Sequence, residues 1–215
     1  MAQYEWLLFD LDGTLSDPAV GFVNCMNHAL VFHDQAPRAA EELTPYIGPP
    51  LEHTIGNLTG NTSYAFVSSM VGKYRERYGD TGYAENTLYP GVNQMLETLR
   101  ENKNVRLGVC TSKRADFATR ILEQFNLLPY FEFVSGGDVG IGKWQQLEKL
   151  LAENTISRNT LMIGDRHFDL NAAHKNHLKS AGVLWGYGSR EELQEHQPAY
   201  LFARPQEIGE QFCRA

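Results

Sequence analysis

The apolar run Trp6-Leu7-Leu8-Phe9, closed by Asp10-Leu11-Asp12-Gly13-Thr14, constrains the fold of this chain more than any other feature. The run shows no polar alternation, so it reads as a strand buried on both faces, the kind found inside a parallel sheet. Gly13 breaks it. Residues two apart on a strand point the same way, which sends Asp10 and Asp12 into one small volume at the strand's carboxyl end. Two carboxylates that close call for a cation, a shared proton or a raised pKa in one of them. A carboxylate nucleophile beside a carboxylic acid/base, with a metal to hold the charges, has this form. A turn carrying two solvated aspartates is the plain alternative.

The rest of the chain carries the alternation that a parallel sheet needs. From Tyr89-Pro90-Gly91 onward, helical faces (Val92, Met95, Leu96, Leu99; Phe117, Ile121, Leu122, Phe125; Trp144, Leu147, Leu150, Leu151) alternate with strand candidates. The candidates are residues 105–110, 131–135, 161–163, 183–185 and 200–202. Strands alternating with helices predict an α/β fold, a Rossmann-like parallel sheet wrapped on both sides. Residues 17–87 lack the pattern. Phe22, Met26, Ala29 and Leu30 share one helical face there, as do Val67, Met70, Val71, Tyr74 and Tyr78. Turn-rich pieces such as Gly48-Pro49-Pro50 separate them. The expected organisation is a core of residues 1–16 and 88–215 with a helical cap domain, 17–87, inserted.

Composition excludes several classes. Apolar residues make up 42% and charged residues 21% of the 215, and the net charge is −7, which disfavours nucleic acid and anionic membrane as partners. No apolar stretch approaches the roughly 20 residues of a transmembrane helix, and no secretory signal opens the chain. Cys25, Cys110 and Cys213 lack metal-type spacing and fit reduced thiols, so a cytoplasmic protein is expected.

Ligands of open parallel sheets bind beyond the carboxyl ends of the strands. The first strand ends in Asp10 and Asp12. The second ends in Thr111-Ser112-Lys113, whose two hydroxyls suit a phosphoryl oxygen or, equally, a helix N-cap. Residues 136–142 lead to Lys143 at a helix start, where a lysine is unfavourable without an anionic partner; a solvated lysine is the plain alternative. Residues 161–163 end in Gly164-Asp165-Arg166-His167-Phe168-Asp169, two more carboxylates at the same edge.

On these four segments the chain resembles the haloacid dehalogenase superfamily along nearly its whole length. The resemblance implies that Asp10 is a nucleophile forming an aspartyl-phosphate, and that Asp12 is general acid and then general base. It implies Mg²⁺ held by Asp10, Asp12 (through its backbone carbonyl) and Asp165. Thr111 and Lys143, with Ser112 and Gly13, would bind the phosphoryl group, and Asp169 would support Lys143 or the metal. A carboxylate at Asp12 favours phosphoryl chemistry over dehalogenation. Residues 46–51, Thr111-Ser112-Lys113 and residues 186–193 resemble phosphoglycolate phosphatases and allied 5'-nucleotidases, although Trp144 follows Lys143 where many relatives carry proline. The implied activity is hydrolysis of a small phosphorylated metabolite by a monomer or homodimer. A phosphomutase on the same core, or a silent binding protein, stands as the alternative.

The remaining readings are structural. The seven histidines, including the pair His174 and His177, are read as surface residues. Cys110 is read as packing, and Trp144 and Trp185 as core or domain-edge aromatics. Gly48, Pro49 and Pro50 read as a rigid loop suited to substrate selection or, equally, as a plain connection between two helices.

Overall fold

The computed structural model describes residues 4–49, 51–137 and 141–213. The chain divides into two compact units, residues 1–16 with 88–215 and residues 17–87. In chain order it runs β1 (Trp6–Phe9), β2 (Ser16–Asp17), α1 (Ala19–Phe32), α2 (Ala40–Leu43), α3 (Leu51–Thr59) and α4 (Tyr64–Asp80). It continues with β3 (Thr87–Leu88), α5 (Val92–Glu101), β4 (Arg106–Arg114), α6 (Ala115–Gln124), β5 (Val134–Gly137) and α7 (Lys143–Ala152). β6 (Thr160–Gly164), α8 (His167–Lys175), β7 (Lys179–Val183), α9 (Arg190–Glu195), β8 (Tyr200–Phe202) and α10 (Pro205–Phe212) complete it.

Six strands form one sheet in the order β5-β4-β1-β6-β7-β8, and every pair is parallel. β1 is central because nothing in it needs water: Trp6 is 1% exposed, and Leu7, Leu8 and Phe9 are 0% exposed. Burying a large apolar side chain contributes about 1.5–3 kcal/mol, so this strand is where the sheet gains most from coverage on both faces. Leu8 and Trp6 join Leu147, Leu150, Met162, Ala172 and Ala173 in one apolar cluster, which seats α7 and α8 on the sheet. The chain winds outward from β1 through β4 to β5, then returns past β1 to β6 and winds the other way. That reversal puts the switch point of the sheet at the carboxyl end of β1, where a ligand crevice is expected.

Residues 17–87 form a helical unit. α1 and α4 pack through the faces expected of them. Phe22, Met26, Ala29 and Leu30 are buried on one, and Met70, Val71, Tyr74 and Tyr78 on the other, with Val67 partly exposed. Gly48 has φ +114°, a left-handed backbone that favours glycine, and with Pro49 it leads into α3. Pro50 lies outside the described residues.

Several limits differ from the sequence expectation. β4 runs four residues further than expected, to Arg114, and β5 begins at Val134 rather than Phe131. β7 ends at Val183, so Leu184 and Trp185 follow the strand instead of forming it. At β5 and β7 the apolar signal takes in flanking residues outside the ladder, whereas β4 continues through the polar residues Ser112, Lys113 and Arg114, which carry no apolar signal.

Candidate active site

Every sequence-expected phosphate and metal residue belongs to the sheet unit. β1 delivers Asp10, whose N–H still pairs with the Ile163 carbonyl of β6 at 2.9 Å. The chain then turns sharply, with the N–H groups of Thr14, Leu15 and Ser16 all donating to the Leu11 carbonyl. Gly13 makes the turn possible at φ +81°, and a Cβ there would occupy the volume of the Asp165 carboxylate. Glycine is therefore required for both backbone and space.

Lys143 is the centre of the electrostatics. It is the first residue of α7 and its side chain is only 4% exposed. Its Nζ lies 3.0 Å from Asp10 Oδ2 and also pairs with Asp169. Burial works against its charge, but Asp10 and Asp169 outweigh it, so the ammonium is held well above the ordinary lysine value. The anionic partner that its place at a helix start demands is thus on the chain itself. The other Asp10 oxygen, Oδ1, accepts from the Leu11 N–H at 2.7 Å.

Beyond β6, Asp165 accepts the Thr14 hydroxyl at 3.3 Å and the Tyr187 N–H at 2.9 Å. Asp169, in the first turn of α8, accepts the Arg166 N–H at 3.1 Å. Carboxylate oxygens of Asp10, Asp165 and Asp169 lie within 4.8 Å of one another, all three buried. Burial, and then repulsion from Asp169 and Asp10, pushes Asp165 well above the usual carboxylate range. Burial raises Asp169 to about 6 even though Lys143 pulls the other way.

Asp12 stands apart from this trio. Its Oδ2 pairs with Lys113 Nζ at 2.8 Å, and its Oδ1 is buried without a hydrogen-bond partner. Burial raises its pKa despite Lys113. Lys113, two residues past Thr111, is a member of the site that the sequence reading quoted without a role. The signal was present, since β4 carries Thr111 and Lys113 on one side at a spacing of two.

Thr111 is 1% exposed and receives the Lys113 N–H on Oγ1 at 3.2 Å, which leaves the hydroxyl proton to be donated elsewhere. Its carbonyl is tied to Gln146 Nε2 at 3.2 Å. The helix-capping alternative fails for Thr111 and Ser112, because β4 continues to Arg114 and α6 begins at Ala115. Ser112 is exposed beside it. Cys110, fully buried, has its thiol raised to about 12 by burial and is inert packing. Trp144 is 39% exposed and not a core residue, while Trp185 is partly buried and donates its indole N–H to the Thr14 carbonyl at 3.0 Å.

Among the described residues, four carboxylates (Asp10, Asp12, Asp165, Asp169) thus face two ammoniums, Lys143 and Lys113. With all four ionised the cluster carries two excess negative charges, and this, the all-oxygen donors and their closeness fit a hard dication such as Mg²⁺. Asp10 and Asp165 offer it oxygens. The Asp12 side chain is turned to Lys113 instead, and Asp169 is shared with Lys143.

Comparison with known proteins agrees with this geometry. A family model described as haloacid dehalogenase-like hydrolase matches residues 7–183. A 5'-nucleotidase from Pseudomonas aeruginosa is 34% identical over 206 residues, covering 94% of this chain and 92% of that protein. A phosphoglycolate phosphatase from Agrobacterium fabrum is 28% identical, covering 84% and 80%. Among solved structures, that of Mycobacterium tuberculosis protein tyrosine kinase A superposes with a TM-score of 0.82 at 30% identity, covering 96% of this chain and 97% of the other. The chain spans 63% of the length of the full kinase.

Proposed function

The chain belongs to the haloacid dehalogenase-like hydrolase family, and from that premise we propose that it is a Mg²⁺-dependent phosphatase of small phosphate monoesters, of the phosphoglycolate or 5'-nucleotide kind. The observation that carries this reading is the Asp10–Lys143–Asp169 chain of charges beside Asp165 at the end of β1. It supports a nucleophilic carboxylate rather than a passive ion pair, because Asp10 sits where a phosphoryl group can meet Thr111, Lys143 and the dication together.

In this mechanism Asp10 attacks phosphorus, the bond from phosphorus to the ester oxygen breaks, and Asp12 gives that oxygen its proton. Asp12 then takes a proton from water as the water oxygen attacks the aspartyl-phosphate, and inorganic phosphate leaves with Asp10 restored. Lys143 holds Asp10 in line and offsets charge on the phosphoryl oxygens, and the Thr111 hydroxyl donates to one of them. Bound Mg²⁺ would offset charge among the carboxylates and on the phosphoryl group. Lys113 keeps Asp12 oriented for both proton transfers.

The groups at the strand ends handle only the phosphoryl moiety, so leaving-group choice is assigned to residues 17–87 as a cap, with Gly48, Pro49 and Pro50 as its selecting loop. The likeness to a tyrosine kinase favours one second reading, transfer of the phosphoryl group from Asp10 to a hydroxyl instead of to water, as a phosphomutase would do. A turnover screen over phosphoglycolate, nucleoside monophosphates and sugar phosphates, with Mg²⁺ or with chelator, tests these together. Chelator-sensitive release of inorganic phosphate is expected. Phosphate moved between hydroxyls without release supports the second reading, and neither outcome on any substrate removes both. Alanine at Pro49 and Pro50 is expected to change the ratio of kcat/KM between phosphoglycolate and a nucleotide, and an unchanged ratio removes the selecting loop.

A further inference from the structure

One carboxylate outside the reacting groups is tied to the loop that presents two of them. Glu192 Oε1 accepts three donors: Arg166 Nε at 3.0 Å, the His167 N–H at 3.0 Å and His167 Nδ1 at 2.7 Å. Arg166 and His167 are the two residues after Asp165, and the turn they belong to runs from the bend at Asp165 and Arg166 through the first turn of α8 to Asp169. The Glu192 side chain is 24% exposed. Partial burial works against its charge, but the His167 and Arg166 donors outweigh it and hold the carboxyl below its ordinary value.

The segment before Glu192 grips the same turn from its other end. The Tyr187 N–H donates to Asp165 Oδ2 at 2.9 Å. Gly186 and Gly188 lie so close that a Cβ on either would intrude on the Asp165 side chain or carbonyl. Ser189 then caps α9 by accepting the Glu192 N–H at 3.1 Å, which fixes the residue that reaches back. The stretch from Gly186 to Glu192 therefore holds the turn at Asp165 and again at Arg166 and His167. Arg166 completes the closure by donating its own N–H to Asp169 Oδ2.

We propose that Glu192 is a positioning residue for the divalent-cation site, holding the Asp165–Asp169 turn so that both carboxylates are presented together. The inference rests on the reading of that site as a Mg²⁺ site. Asp165 and Asp169 repel one another, and a turn released at Arg166 and His167 relaxes by moving them apart. Groups that orient metal ligands without touching the metal are worth about 10–100-fold in affinity. Glu192 touches neither substrate nor the reacting carboxylates, so its effect passes through the metal.

The test is calorimetry of Mg²⁺ binding to the whole chain as wild type, Glu192→Ala and Glu192→Gln, with metal-free melting curves and steady-state kinetics beside it. Glu192→Ala is expected to weaken Mg²⁺ binding by about 10–100-fold, while kcat and the substrate KM at saturating Mg²⁺ stay within about threefold. Glu192→Gln keeps an acceptor oxygen and recovers part of the affinity. A folded Glu192→Ala protein that binds Mg²⁺ within about twofold of wild type overturns the proposal, as does a kcat at saturating Mg²⁺ that falls as steeply as the affinity. If Glu192→Ala does not fold, Glu192→Gln decides, with a loss of about threefold or more in its support and a smaller one against it. A wild-type chain that binds no Mg²⁺ overturns the reading of the site itself, which is a different result.

Discussion

At the scale of single residues, the two aspartates at the end of β1 have opposite surroundings, which suits the separate roles proposed for them. Asp10 is clamped by Lys143 and belongs to the carboxylate trio; Asp12 is paired with Lys113 and keeps one oxygen without a partner. Asp10→Asn keeps the shape and removes the charge that attacks in the proposed mechanism, so phosphate release is expected to fall by about a thousandfold or more. Near-wild-type turnover by the desalted variant would remove Asp10 as nucleophile. Asp12→Asn is expected to lose turnover as severely, yet to bind Mg²⁺ within about threefold of wild type, because its side chain is outside the trio. Loss of both together, measured by assay and calorimetry, would make that side chain a ligand. As candidates, Asp10, Asp12, Thr111, Lys143, Asp165 and Asp169 were legible because each follows an apolar run or lies in the first turn of a helix. The partners of Asp12 and of the Asp165–Asp169 turn were not. Lys113 stands in the sequence as one more basic residue until its ammonium is placed on Asp12, and Glu192 stands within residues 186–193 with nothing to mark it as a partner of Arg166 and His167. Side-chain pairing across 25 residues or a hundred leaves no local periodicity to read.

At the scale of elements, β1 sets the position of everything the site uses. Its register against β4 and β6 (Phe9 opposite Val109 and Ile163) brings Asp10, Thr111 and Asp165 to one edge. Leu8 is fully buried in the cluster that seats α7 and α8, and α7 in turn carries Lys143. Leu8→Ala leaves a cavity there and is expected to cost about 2–5 kcal/mol of stability. Denaturant unfolding of the variant measures the loss. A cost under about 1 kcal/mol would mean that the cluster repacks around the gap, and would remove β1 as the seat of α7 and α8. The existence and order of the strands were legible from their apolar runs. Their ends were not, since Thr111 lies within β4 and Leu184 lies past β7 although both neighbour buried positions. Where a strand stops depends on hydrogen bonds to a partner strand, which a one-dimensional pattern of apolar residues does not encode.

For the molecule as a whole, the carboxylate cluster ties stability to pH and to the cation. Unfolded carboxylates titrate near pH 4. In the folded protein Asp169 is raised to about 6, with Asp12 raised and Asp165 raised further, each first of all by burial. The folded state therefore binds more protons than the unfolded chain above about pH 4, and stability declines as pH rises through the raised values. The glutamates held low by basic partners, such as Glu132 and Glu192, act below the ordinary carboxylate value and leave the range from pH 5 to 8 to the cluster. His174, lowered by burial, opposes the trend as one group against three. On the proposed reading Mg²⁺ would bind the deprotonated cluster and stabilise by mass action, with an effect that grows as the protons leave. The Tm of the metal-free protein is expected to fall between pH 5 and pH 8, and millimolar Mg²⁺ to raise it more at pH 8 than at pH 5. Asp165→Asn should flatten the fall and remove most of the Mg²⁺ effect, since it deletes both a buried charge and an oxygen donor. A metal-free Tm that holds level or rises over that range would show that the cluster is already balanced within the protein. A Mg²⁺ shift equal at the two pH values would place the cation somewhere other than these aspartates.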